Sequence, residues 1–144
     1  MIKKIIFFSI FAVAFFMLSA QQANIHLLDL GMVPVMTTGQ TPSSDINLKV
    51  SFKIDHSDLA QTVFVDFGST PGGNDIASFT AQVVPDGSGY AISYNGTNYP
   101  IGTNYEAGFI VSLTQQQFNN FSYITLKVND NSGYYSNSLS LNNN

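Results

Sequence analysis

Residues 45 to 55 read "DINLKVSFKID", and their apolar side chains recur at every second position. Ile46, Leu48, Val50, Phe52 and Ile54 share one parity, while Asn47, Lys49, Ser51 and Lys53 share the other. Successive side chains of a strand point to opposite faces, whereas a helix would need apolar residues three and four apart. Five unbroken alternations therefore predict a strand with one face in a core and one face in water.

The rest of the chain repeats this grammar. In "QTVFVDFG", Val63, Val65 and Phe67 stand opposite Phe64 and Asp66. "IASFTAQVV" is a third candidate strand, ended by Pro85-Asp86-Gly87. "GYAISYNGTNYPIG" contains Asn95-Gly96, the favoured two-residue hairpin turn because both positions need positive φ. Taken literally, the turn sets Tyr94 against Thr97, Ile92 against Tyr99 and Tyr90 against Ile101, with that face inward. Pro100 cannot donate to a ladder, which puts its strand at a sheet edge. Farther on, Thr114 and Gln117 have the form of a capping box, flanked by Leu113 and Phe118 as a hydrophobic staple. One short helical turn is expected over residues 115–120, crossing between sheets. The following strand would bury Ile124, Leu126 and Val128 and show Tyr123, Thr125 and Lys127 to solvent. In the closing "GYYSNSLSL", pairing Val128 with Tyr135 sets Ile124 against Leu139 and leaves Tyr134 outside.

The sum is seven to nine short strands with regular turn signals and one helical corner, the pattern of an all-β Greek-key β-sandwich. Strand order and the closing Val128-x-Asp130-x-x-Gly133-x-x-Ser136 hairpin resemble those of bacterial secreted immunoglobulin-like or fibronectin-type-III-like domains. The likeness extends from Asp45 to Leu141, without the cysteine pair or tryptophan of antibody domains. It implies an immunoglobulin-like architecture and no particular activity.

Ahead of these strands, Lys3 and Lys4 precede an apolar run from Ile5 to Leu18, and Leu18-Ser19-Ala20 offers a small residue before a cut. That is the three-part layout of a signal peptide, and the run is short for a membrane-spanning helix. The expected organisation is a signal peptide at 1–20 and a single domain at 21–144, secreted to the periplasm or beyond, with no stable membrane insertion after cleavage. Removing two of the five lysines leaves three against nine acids, shifting the net charge from −4 to −6. With no arginine and an acidic surface, nucleic acid is a poor partner. Without cysteine the domain holds together by burial alone, with no disulfide.

Chemistry-bearing residues are few. His26 lies in an apolar strand-like stretch, "NIHLLDL". His56 lies in "DHSDLAQ", where Asp, His and Ser are neighbours on one loop, and adjacency rarely supplies the geometry of a triad. No catalytic residue and no cofactor are expected. "NDNSG" departs from an EF-hand loop because Val128 stands where an acid is required. In an immunoglobulin-like topology, however, "DHSD" and "NDNSG" emerge at one end. That brings Asp55, Asp58, Asn129, Asp130, Asn131 and Tyr134 into one neighbourhood, the candidate ligand-binding residues. Oxygen supply there would suit Ca²⁺, and exposed tyrosines (Tyr134, Tyr123, Tyr105) would suit a sugar. The expected function is an exported, non-catalytic protein with a binding or structural role and an unidentified protein or glycan partner. A carbohydrate- or calcium-binding module acting through residues 55–58 and 129–134, or a surface-polymer subunit, are the alternatives.

Overall fold

The computed structural model describes residues 22–33, 45–131 and 139–142. The segment 1–20 and Tyr134 lie outside the described residues, as do Gly133, Tyr135 and Ser136 of the closing hairpin.

Nine strands and one helix make up these residues: β1 (Asn24–Val33), β2 (Ile46–Asp55), β3 (Ala60–Gly68), β4 (Ala77–Asp86), β5 (Gly89–Tyr94), β6 (Thr97–Pro100), β7 (Glu106–Leu113), α1 (Gln115–Asn120), β8 (Tyr123–Asp130) and β9 (Leu139–Asn142). All pairings are antiparallel. They form a three-stranded sheet, β1-β2-β7, and a six-stranded sheet, β6-β5-β4-β3-β8-β9.

The alternation of residues 46–54 sets this arrangement. Leu48, Val50, Phe52 and Ile54 of β2 are buried and join Phe109, Val111 and Leu113 of β7. From the other sheet come Val63, Val65 and Phe67 of β3, Ile92 of β5, and Ile124, Leu126 and Val128 of β8, all in the same core. Aromatic rings thread this core as a chain of edge-on or tilted contacts. Phe118 meets Phe121 at 5.8 Å, Phe121 meets Phe67 at 5.1 Å, and Phe67 meets Phe79 at 5.8 Å between ring centroids. The chain continues from Phe79 to Tyr94 at 6.4 Å, crosses to the smaller sheet at Phe109 (4.9 Å), and ends at Phe52 (6.3 Å). Such pairs contribute about 0.5–1.5 kcal/mol each beyond burial.

Turn chemistry sets register. Asn95 and Gly96 have φ of 48° and 78°, and the pairs Tyr94–Thr97 and Ile92–Tyr99 follow. β6 is an edge strand and Pro100 is its last residue. Pro85 is tolerated inside β4 for a related reason. Its partner Tyr90 turns its carbonyl the other way, to accept from Ile101 N–H at 2.9 Å, so no donor is asked of Pro85. At the corner, Thr114 Oγ1 accepts from Gln117 N–H (3.2 Å) while Gln117 Oε1 accepts from Thr114 N–H (2.9 Å). This reciprocal box starts α1, which carries the chain from one sheet to the other.

Three expectations need correction. β9 pairs Leu126 with Leu139 and Ile124 with Leu141, two residues away from the expected register. A slip of two preserves which side each residue faces, so alternation alone cannot detect it. Thr125 is buried although its parity points away from the core, and Asp66 beside it is only 4% exposed. The cause is the Ser69–Asp75 loop, which folds back over that outer face. Gly72 N–H donates to Thr125 Oγ1 at 3.1 Å, and Asp75 closes the loop by accepting from Ser69 N–H (3.0 Å) and Oγ (2.7 Å). The Ser69 bonds hold the Asp75 carboxyl below the usual range. Gly68 is required here, since a Cβ would lie 2.5 Å from Gly73 O. Third, β4 continues through Pro85 to Asp86 instead of stopping at the proline.

Candidate binding end

The β2–β3 connection is built by His56, which adopts φ 57° and offers its carbonyl to Leu59 N–H (2.9 Å) and Ala60 N–H (3.3 Å). A left-handed backbone is uncommon for a residue with a Cβ. A second such residue stands beside it. Tyr105, with φ 63°, closes the β6–β7 turn by donating its N–H to Gly102 O at 2.9 Å. The Tyr105 carbonyl then accepts from Ile54 N–H at 3.1 Å, which ties the two turns together.

Between them lies a depression of about 260 Å³ lined by Asp55, His56, Ser57, Asp58 and Tyr105. Asp58 is exposed, Asp55 and His56 are half-buried, and Tyr105 keeps 55% of its surface in water. A tyrosine, two aspartates, a histidine and a serine thus line one small hollow. Strained backbone positions of this kind persist only where the surroundings hold them, and they concentrate at ligand-contacting sites.

The other half of the expected neighbourhood meets this end through the backbone. Asp130 pairs with Ala60, and Asn131 N–H donates to Leu59 O at 3.1 Å. Asp130 is buried, Asn131 is exposed, and Asn129 sits half-buried opposite Thr62. The Asn129 Oδ1 atom is enclosed and has no hydrogen-bond donor among the described residues. Of the sequence candidates, Asp55 and Asp58 line the hollow, whereas Asn129, Asp130 and Asn131 flank the turn behind it. Tyr134 falls outside the described residues. Although Asp55, His56 and Asp58 line the hollow, no three of His, Asp and Glu among the described residues are placed so that they could hold a metal ion.

Sequence reasoning had Tyr105 as an exposed aromatic and missed its place beside Asp55 and Asp58. No local signal marks a bulky residue for positive φ. The buried Asp66 is the other polar group that the strand pattern did not foresee. Its carboxylate accepts from Ser78 Oγ at 2.5 Å and lies 3.7 Å from Lys127 Nζ, which in turn sits 5.3 Å from the centre of the Phe64 ring. These contacts account for the buried charge without a ligand.

Comparison with known proteins found no matching family model, no matching curated protein and no matching solved structure.

Proposed function

We propose that this chain is an exported, non-catalytic, immunoglobulin-like binding module whose ligand, a carbohydrate, is held at the Asp55–Asp58 and Tyr105 end. The architectural part of this reading draws on strand order. On this reading β1, β2 and β7 would correspond to strands A, B and E, and β4, β3, β8 and β9 to C′, C, F and G. The B–C and F–G connections of such sandwiches share one end, where variable domains bind. Export rests on the basic, apolar and small-residue layout of residues 1–20.

One observation carries the ligand class: an exposed tyrosine lines the same hollow as two aspartates and a serine. Sugar rings present a flat C–H face and a rim of hydroxyls, which suit an aromatic face and charged acceptors respectively. The hollow has room for one such ring. Calcium is the weaker reading, because no metal-ligand group converges there among the described residues. Catalysis is the less favoured reading because Ser57 and His56 are neighbours on one tight turn, and adjacency rarely supplies the geometry that acyl transfer needs.

The test is a glycan array followed by titration calorimetry of the best hit. Tyr105→Ala should weaken binding by about tenfold or more, a loss of about 1.4 kcal/mol, with Asp58→Asn weakening it less. Undiminished affinity in Tyr105→Ala would remove this site from the reading. Turnover of a glycoside that disappears in Asp55→Asn would replace binding with catalysis.

A further inference from the structure

We propose that the cleft where β6 and β7 splay apart is a second binding site, which receives an extended, acidic segment of a partner polypeptide. The two strands follow one another through the Gly102–Tyr105 turn, yet they end in different sheets. They leave the turn joined: Gly102 N–H donates to Glu106 O at 2.8 Å. Backbone direction along each strand follows from its hydrogen bonds to neighbouring strands. Ile101 donates to Tyr90 of β5, so Pro100 and Asn98 turn their groups away from β5 and toward β7. Tyr105 accepts from Ile54 of β2, so Glu106 and Gly108 turn theirs away from β2 and toward β6.

The next pair able to bond across the hairpin would be Pro100 with Gly108. Proline has no N–H, so half of that pair is chemically impossible. The strands do not pair, and a cleft of about 320 Å³ opens between them. β7 cannot swing to close it. A Cβ on Gly108 would lie 2.7 Å from Val50 O, which shows how tightly β7 is seated on β2. The walls consequently present main-chain groups in strand spacing: N–H and C=O of Gly108 on one side, N–H and C=O of Asn98 and C=O of Pro100 on the other. An extended polypeptide is the ligand whose own backbone alternates donors and acceptors at that spacing.

Charge selects the segment. Lys49 and Ser51 of β2 line the cleft, and Lys53 follows on the same outward face. Two of the three lysines in residues 21–144 are thus gathered beside an edge of an otherwise acidic chain. Glu106 stands at the closed end, in register with Lys53. Carboxylate side chains on the incoming segment would meet Lys49 at the open end.

Two capped heptapeptides, Thr and Glu alternating or Thr and Lys alternating, test this by titration into the ¹⁵N-labelled protein. The acidic peptide should shift the Asn98 and Gly108 amide signals saturably and bind about tenfold more tightly than the basic one. Lys49→Glu should reverse that order. Asn98→Pro removes an outward donor without touching the β5 ladder, and should weaken the acidic peptide about fivefold. No saturable shift from either peptide overturns the proposal, as does an order unchanged in Lys49→Glu. If maltotriose moves these amides and the peptides do not, the site belongs to a sugar. If the amides shift with protein concentration alone, a second copy occupies it. Either result also overturns the proposal.

Discussion

Replacing Phe67 by Ala should strike the core at a fully buried link in its chain of rings. Phe67 is fully buried, stands edge-on to Phe79 at 5.8 Å and to Phe121 at 5.1 Å, and so joins β3, β4 and the end of α1. Truncating a buried phenylalanine costs about 3–5 kcal/mol, from lost transfer energy and the cavity left behind. Domains of this size hold about 5–15 kcal/mol in total. The variant should keep its fold at low temperature but lose about 10–20 °C in melting temperature. Equilibrium urea denaturation, with the slope held common, should move its midpoint down by about 2–3 M. Phe67→Leu, which retains most of the volume and loses both ring contacts, should cost about 1–2 kcal/mol. Phe64→Ala is the control, because that ring lies on the opposite face of the same strand and is only half-buried. Its cost should be about 1 kcal/mol. If Phe67→Ala came within 1 kcal/mol of the unaltered protein, or matched Phe64→Ala, the ring chain would not be a source of stability.

Two further outcomes concern a cap and a phenol. Thr114→Ala should cost about 1 kcal/mol in denaturant unfolding, and adding Gln117→Ala should cost less than its separate effect, since the two residues share one reciprocal bond pair. Burial pushes the Tyr94 phenol up, partly offset by its hydrogen bond with Asn95 and reinforced by Tyr99 nearby. Unfolded phenols ionise near about pH 10, before Tyr94 does in the folded chain. Stability should therefore fall as pH rises beyond that point, and denaturation midpoints should fall less steeply in Tyr94→Phe.

Much of the scaffold could be read from residue order, for reasons that are local. Alternation through Ile54 marks a face, Asn95-Gly96 marks a turn and its register, and Thr114 with Gln117 marks where a helix begins. Each signal acts within a few residues of itself. What escaped is decided at a distance. Asp66 and Thr125 face outward by parity, but the Ser69–Asp75 loop, whose Gly72 lies 53 residues from Thr125 in sequence, packs onto that face. Ala91 also faces outward by parity and is fully buried. The β9 register escaped because strands slipped by two keep the same faces. At the candidate site, the meeting of the Asp55–Asp58 turn with Asp130 and Asn131 followed from the pairing of β3 with β8. The arrival of Tyr105 did not, because it depends on a backbone conformation that tyrosine rarely adopts.

The chain of rings also equips the molecule with an optical probe of its own. There is no tryptophan, and Tyr94 sits tilted at 45° against Phe109 where the two layers touch. Its near-ultraviolet dichroism should vanish when the layers separate, even if each sheet keeps its strands. Loss of that band ahead of the far-ultraviolet signal would separate opening of the layers from unravelling of the sheets, without a dye or an introduced chromophore.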